Sequence, residues 1–250
     1  MLLNQTELLR DLLRDLDGIP DHEVCEIIAG THGHLVAVQS AGTGIASWAL
    51  HRAVAIEELP LPDACGSAKE LAQNLLSENP MEATVGLACL NSLLPSPPDE
   101  NLQSIKAQDL ILHYGKGRKV AVIGHFPFVE KIGKEFSDFW VLEKSPRPGD
   151  IHAQEAPSIL PAADVVAISA TTLANGTLAE ILDLCSKTAI KIMLGPSTPL
   201  APSLFTCGIQ VLAGSIVEDH ALVKQGILAG LPFKQLKGIR YVVWEHLTGD

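Results

Sequence analysis

Residues 165–169, VVAIS, followed by ATTLANGT at residues 170–177, carry the clearest fold signal in this sequence. An unbroken apolar run of this length is typical of a strand that is covered on both faces. The same order of apolar run, small polar residues and helical pattern recurs through the second half of the chain. Strands that alternate with helices in this way predict a parallel, doubly wound α/β sheet. The other apolar runs lie at 120–123, 139–142, 190–194 and 209–212.

The first half of the chain has a different pattern, which predicts a small α+β unit. Leucines recur with a helical period across residues 2–16, so an amphipathic helix is predicted there. Two short apolar runs flank a glycine-containing turn at 30–33, which predicts a β-hairpin. The other predicted elements are the hairpin strands at 22–29 and 35–40, a small-residue loop at 41–44, a strand at 52–57 and helices at 68–77 and 81–94.

The segment PSPPDEN at residues 95–101 separates these two patterns. Three prolines within four residues cannot continue a helix or a central strand. Antiparallel strands and helices precede this segment, and alternating strands and helices follow it. We therefore predict two domains, residues 1–97 and residues 98–250.

Composition narrows the classes of partner. The chain of 250 residues has 18 basic and 29 acidic residues and a formal net charge of −11. Nucleic acid and anionic membranes attract positively charged surfaces, so we expect neither as a partner. The first residues lack the pattern of a signal peptide, and no apolar run approaches the roughly 20 residues that span a bilayer.

Cysteine usage gives the expected compartment. The five cysteines are scattered along the chain and form no CxxC pair, which argues against a disulfide framework and a thiolate zinc site. We therefore expect a cytoplasmic protein with reduced cysteines. A homo-oligomer is compatible with the sequence.

Polar chemistry is expected where the parallel strands end, because ligands of open α/β sheets bind in the crevice at that edge. Gly124, His125 and Phe126 follow the first run, and His125 is predicted to point into the crevice. Glu143 ends the second run, where a carboxylate could contact a ribose hydroxyl or a metal ion. A structural histidine and an exposed glutamate are equally open interpretations. The dinucleotide fingerprint GxGxxG is absent after the first run.

The next two loops offer hydroxyl, amide and backbone groups. Thr171, Thr172 and Asn175 follow the run at 165–169 and are candidates for hydrogen bonds to a ligand. Thr177 and Glu180 have the spacing of a capping box, which predicts the start of a helix.

The loop after the run at 190–194 contains Gly195, Ser197 and Thr198. Thr198 before Pro199 predicts a helix N-cap followed by the first helical residue. Free amides at such a helix end attract a carboxylate or phosphate, although a capped helix without a ligand remains an alternative.

Two more features carry structural and functional alternatives. His32 and His34 would share one face of a strand and could hold a metal, but at a hairpin tip we expect them to be exposed. Asp150 after Pro148 and Gly149 fits the N-cap of another helix.

Four ordered motifs together resemble a family of bacterial and archaeal proteins. They are GHFPF at 124–128, PGD at 148–150, TTLANGT at 171–177 and GPSTPL at 195–200. The chain resembles the DUF364 family, which is labelled for heavy-metal chelation and is usually preceded by a DUF4213 domain. The resemblance implies an enolase N-terminal-like domain, a Rossmann-like domain and a site in the cleft between them. It also implies that Asn91 contributes to that cleft from the N-terminal side.

Three hypotheses follow. The first is a protein that binds a small molecule or metal complex between the domains. A transition metal ion would then use hard or mixed ligands such as His125 and Glu143, because cysteine and histidine clusters are absent from the sequence. The second is an enzyme with a nucleotide-type cofactor, in which His125 is a general acid or base. The third is a non-catalytic scaffold.

Overall fold

The structure is a computed structural model that describes residues 2–30, 34–49 and 66–246. The strand predicted at 52–57, and His32 of the predicted histidine pair, lie outside these residues. No helix in the described ranges has both the length and the apolar character needed to cross a lipid bilayer.

The N-terminal part is a three-stranded antiparallel sheet with helices packed against it. The strands run in the order β1-β2-β3, and the predicted hairpin is confirmed by the pairing of β1 with β2. The elements are α1 Gln5–Arg14, β1 Glu26–Ala29, β2 Leu35–Gln39, β3 Thr43–Ser47, α2 Ala68–Ala72 and α3 Pro80–Leu93. The three predicted helices are thus confirmed, with shifted ends and a 3₁₀ turn at Gln73–Leu76 that completes the second.

The prediction of a loop at 41–44 is wrong in its second half, because β3 begins at Thr43. Small residues in this strand allow α3 to pack directly on it. A Cβ atom at Gly44 would lie 2.1 Å from the carbonyl oxygen of Ala88 and 2.3 Å from the backbone nitrogen of Ser92. Glycine at this position therefore permits backbone contact between the strand and the helix.

The C-terminal part is an eight-stranded sheet in the order β4-β11-β10-β9-β8-β5-β6-β7. Six neighbouring strands, from β10 to β7 in this order, are parallel, and β11 and β4 add antiparallel pairs at one side. The strands are β4 Leu102–Gln103, β5 Lys119–Ile123, β6 Asp138–Glu143, β7 Ile151–His152, β8 Val165–Ser169, β9 Ile190–Leu194, β10 Val211–Val217 and β11 Ile239–Glu245. The α/β fold class is therefore confirmed.

The order in which the chain adds strands to the sheet reverses between β5 and β8, which are themselves parallel. From β5 the chain moves outward to β6 and β7, returns to β8 beside β5, and continues to β9 and β10. Ligands bind at such a reversal in open α/β sheets, outside the carboxyl ends of the strands. The helices of this part are α4 Ala107–Gly115, α5 Val129–Ile132, α6 Ala156–Ile159, α7 Thr171–Ala174, α8 Leu178–Leu184, α9 Pro202–Thr206 and α10 His220–Leu228.

The two parts share one buried apolar cluster, which includes Leu12 of α1, Leu87 of α3 and Leu178 of α8. Polar contacts support this packing. The Gln5 side chain accepts a hydrogen bond from the backbone nitrogen of Ala179 at 2.9 Å and donates to the Leu173 carbonyl at 3.4 Å. The first helix thus fixes the N-terminal part against the helices that cover the large sheet.

Of the three predicted helix caps, Thr177 is confirmed as the residue before α8, without the cap hydrogen bond, and the other two are wrong. The Thr177 hydroxyl donates to Asn175 Oδ1 at 2.6 Å and makes no cap hydrogen bond to α8. Thr198 does not begin a helix, because its amide donates to the Gly195 carbonyl and α9 starts at Pro202. Asp150 precedes the short strand β7 instead of a helix, and its carboxylate pairs with His125.

Candidate functional site

A cleft of about 460 Å³ lies where β5, β6 and β8 end, at the reversal of strand order. Most of the predicted site residues line it, so the structure brings distant loops together at this edge. The predicted residues in its wall are Gly124, His125, Phe126, Glu143, Thr171, Thr172 and Asn175.

His125, which lines the cleft, forms a buried pair with Asp150. His125 Nδ1 lies 3.0 and 2.9 Å from the two carboxylate oxygens of Asp150. The side chains of the two residues are 8% and 4% exposed. Because a carboxylate only accepts, Nδ1 carries a proton, and in the tautomer that this contact selects Nε2 has a free electron pair. Such a nitrogen can bind a metal ion or accept a proton from a ligand.

Hydrogen bonds to the backbone fix this pair. Glu143 Oε2 accepts from the His125 amide at 3.0 Å, and Glu143 Oε1 accepts from the Lys144 amide at 2.7 Å. Asp150 Oδ2 also accepts from the Arg147 amide at 3.0 Å. The two carboxylates therefore hold the backbone and the ring of His125 in one orientation, as carboxylates around a ligating or catalytic histidine commonly do.

Hydroxyl groups follow β8 along another wall of the cleft. The Ser169 and Thr171 hydroxyls lie 2.9 Å apart and share a hydrogen bond. The Thr172 hydroxyl is occupied, since it donates to the Ser169 carbonyl at 2.7 Å. Among the predicted residues here, Thr171 thus offers the more available hydroxyl, and Thr172 shapes the turn.

The N-terminal part contributes Trp48 and Ala49 to the same cleft. Trp48 is 5% exposed, and its Nε1 has no hydrogen-bond partner among the residues that the structure describes. This residue was missed by sequence reasoning, because it follows a strand of the small sheet rather than one of the parallel strands. The pairing of Asp150 with His125 was also missed, although Asp150 belongs to the motif at 148–150.

The other predicted residues lie elsewhere, so the expected single cleft is divided. Asn91 and Thr198 line a second, smaller cavity of about 110 Å³. Ser197 is buried, and its hydroxyl accepts a hydrogen bond from the Ser47 amide at 2.8 Å. This hydrogen bond fastens β3 to the loop after β9. Gly195 lines neither of these two cavities.

The buried cysteines Cys89 and Cys185 are poor soft-metal ligands. Burial raises the pKa of the Cys89 thiol to about 12 and that of the Cys185 thiol to about 11. A raised pKa disfavours the thiolate that binds metals and reacts with electrophiles. In residues 2–30, 34–49 and 66–246, no three histidine, cysteine, aspartate or glutamate side chains form a group that could hold a metal ion.

We expect a thiol reagent to label Cys25 before Cys89 and Cys185, because Cys25 is exposed and the other two are buried with raised pKa values. Peptide mass mapping after brief treatment with iodoacetamide measures this order. Unfolding in guanidinium before labelling is the control and should equalise the three. Labelling of Cys89 as fast as Cys25 in the folded protein would contradict the buried position of α3.

Comparisons with known proteins agree with this architecture. The family model DUF364, described as "Putative heavy-metal chelation", matches residues 106–244, and DUF4213, with the same description, matches residues 13–94. An uncharacterised protein of Methanocaldococcus jannaschii is 32% identical over 145 residues, which are 56% of this chain and 56% of that protein.

Two crystal structures of DUF364 proteins of unknown function are similar over nearly the whole chain. The protein of Desulfitobacterium hafniense is 27% identical with a TM-score of 0.82, and 97% of this chain covers 99% of that one. The protein of Pyrococcus horikoshii has a TM-score of 0.75 at the same coverage. Its sequence is 21% identical, so this similarity is evidence for the fold alone. The resemblance found in the four motifs is thus confirmed, and the chain belongs to the DUF364 family.

Proposed function

We propose that the cleft at the reversal of strand order binds a small organic molecule, alone or as the chelator of a heavy-metal ion. The observation that carries this proposal is the buried His125–Asp150 pair, which leaves Nε2 as an electron-pair donor in the cleft. The description of the family as metal-chelating favours a metal in the ligand. His125 would then be one protein donor to that metal, and Asp150 would orient it.

The walls of the cleft support a small-molecule ligand. A volume of about 460 Å³ is within the range of sites for small organic ligands. The lining includes apolar residues such as Phe126 and Trp48 together with the polar residues Thr171 and Asn175. This combination of apolar area with a few polar groups is typical of ligand pockets.

We also propose the finer description of the two parts. Residues 1–97 would form an enolase N-terminal-like domain and residues 98–250 a Rossmann-like domain. The strand order β7-β6-β5-β8-β9-β10, which matches that of doubly wound dinucleotide-binding sheets, supports the second name. The cleft would then lie between domains, since Trp48 comes from the first and His125 from the second. A cytoplasmic location remains our proposal from composition.

Thermal unfolding with added metals tests the function. A ligand that binds only the folded state raises the melting temperature. We expect a rise with at least one of Zn, Ni, Co, Fe, Cu or molybdate. Asp150→Asn should weaken that binding by about 10–100-fold, because a neighbour that orients a ligating histidine contributes about this much.

Asp164→Asn is the matched control. Its carboxylate also accepts a backbone hydrogen bond, from Lys119, but at the opposite end of the parallel strands. This variant should keep the metal response of the wild type. If no metal shifts the wild-type melting temperature, or if both variants respond alike, the assignment of His125 and Asp150 to a metal-complex site fails.

A second candidate is an enzyme with a nucleotide-type cofactor. The position of the cleft at the reversal of strand order favours it, because dinucleotides bind there in doubly wound sheets. Glu143 at the end of β6 has the place of a ribose-binding carboxylate, although its two oxygens already accept backbone hydrogen bonds. Calorimetric titration with NAD, S-adenosylmethionine and ATP tests this candidate, and no heat with any of the three would reject it.

A further inference from the structure

A second histidine, His152, lines the large cleft at the end of β7, although it was not among the predicted site residues. Its ring nitrogen Nδ1 lies 3.2 Å from the Gln154 amide, which donates to it. A ring nitrogen that accepts a hydrogen bond carries no proton, so this contact selects the tautomer of His152 with the proton on Nε2. In that tautomer Nε2 of His152 is a hydrogen-bond donor.

The two described histidines of the cleft therefore have opposite hydrogen-bonding character. Asp150 selects the tautomer of His125 in which Nε2 has a free electron pair. The Gln154 amide selects the tautomer of His152 in which Nε2 has a proton. Because a histidine needs a free electron pair to bind a metal, a metal ion would bind Nε2 of His125 and not Nε2 of His152. The role that remains for His152 is to donate to an acceptor atom of the ligand.

The pairing of β6 with β7 places the two histidines close together. His152 is the register partner of Glu143 across these two parallel strands, whose backbones lie about 4.8 Å apart. Glu143 accepts a hydrogen bond from the His125 amide at 3.0 Å. Asp150, two residues before His152, contacts the His125 ring at 2.9 Å. Both histidines thus belong to the same side of the cleft.

A lysine adds positive charge on this side. Lys144 follows the last residue of β6, is exposed, and lines the cleft as His152 does. Its ammonium group has three donors and no acceptor. Glu180, an acidic residue of the described lining, lies on α8, which follows β8, and β8 is three strand positions away from β7. The side formed by β6 and β7 is therefore complementary to an anionic oxygen group.

We propose that His152 and Lys144 form an oxyanion subsite, which binds a carboxylate or phosphate group of the ligand. This inference rests on the proposed function, because it concerns the same cleft, and it adds the chemical class of the ligand. The ligand is an organic acid, alone or as the chelator of the metal that His125 binds. Carboxylate and phosphate oxygens both accept from N–H groups, and separate titrations with acetate and phosphate distinguish them.

Long-range ¹H–¹⁵N correlation spectra of the full chain measure the two tautomers directly. At pH 8, where ordinary histidines are neutral, we expect the Nδ1–H form for His125 and the Nε2–H form for His152. Spectra of His125→Asn and His152→Asn assign the two sets of signals. The Nδ1–H form at His152 would overturn the proposal, because Nε2 would then be an acceptor.

Titration with acetate and with inorganic phosphate, at constant ionic strength, tests binding at the subsite. We expect a saturable shift of the Ala153 backbone amide, which also lines the cleft, and no shift of the exposed His113 on α4. His152→Asn keeps an acceptor for the Gln154 amide but has no donor at the position of Nε2. This variant should bind the anion about 10-fold more weakly, as expected for the loss of one hydrogen bond to a charged group.

A matched pair of lysine variants tests the charge. Lys144→Gln should weaken the binding of the anion. Lys187→Gln makes the same charge change before β9, at the opposite end of the parallel strands, and should bind as the wild type does. Equal responses of these two variants would overturn the role of Lys144.

His125→Asn separates this inference from the proposed function, since it should lose metal binding and keep the anion response. An anion response in a wild type that binds no metal would support the subsite while rejecting the metal site. No saturable shift with either anion, or an unchanged response in His152→Asn, would overturn the subsite even if a metal binds at His125.

Discussion

His125→Ala is expected to abolish the metal-dependent rise in melting temperature. The substitution removes Nε2, the one nitrogen of the His125–Asp150 pair that is left to bind a ligand. We expect the affinity for the responding metal to fall by at least ~100-fold, more than the loss from Asp150→Asn, because a direct ligand is removed rather than its neighbour. Isothermal titration with the metal that stabilises the wild type measures the loss.

A second variant separates binding from folding. His125→Ala also leaves the Asp150 carboxylate buried without its ring partner, which can destabilise the fold. In His125→Asn the amide nitrogen can replace Nδ1 as donor to Asp150, while no atom replaces Nε2. We expect this variant to fold and not to bind. His22→Ala, at an exposed histidine, should bind as the wild type does. Full binding by His125→Asn would contradict the role of Nε2.

Gly44→Ala is expected to destabilise the fold by about 3 kcal/mol, because the added methyl would overlap backbone atoms that cannot rotate away. Its Cβ would lie 2.1 Å from the Ala88 oxygen, 2.3 Å from the Ser92 nitrogen and 2.7 Å from the Asn91 carbonyl carbon. For a chain of this size the loss corresponds to a melting temperature about 6–12 °C lower. Differential scanning calorimetry measures the shift.

Gly66→Ala is the control for this substitution. A Cβ at Gly66 would meet no atom within 4 Å, and its backbone has no positive φ. We expect a change within about 0.5 kcal/mol, as for most exposed sites. Equal stability of the two variants would mean that β3 does not lie directly on α3.

The parallel strands were predictable because their sequence is apolar on both faces. The runs at 165–169 and 190–194 coincide with β8 and β9 to the residue. Strand β11 was not predicted, since its partly exposed residues, such as Arg240 and Tyr241, interrupt the apolar pattern at the side of the sheet. Strand β3 was missed because glycine is unfavourable in strands, and the contact of Gly44 with α3 outweighs this preference.

The candidate site was predictable where it depends on strand ends, and not where it depends on packing between distant segments. His125 and Glu143 follow parallel strands, so topology alone brings them together. The role of Thr198 was inferred from a helix-cap pattern, but local hydrogen bonding to Gly195 holds this residue in a turn instead. Trp48 joins the cleft, and Asp150 pairs with His125, through tertiary contacts that no local spacing encodes.

Native mass spectrometry with elemental analysis, on protein purified without an affinity tag, shows whether the cleft holds a ligand. We expect a retained small molecule or metal complex near one per chain in the wild type, and its loss from His125→Asn. A wild-type protein with the mass of the bare polypeptide and no stoichiometric metal, unchanged after incubation with metals and cell extract, would contradict it.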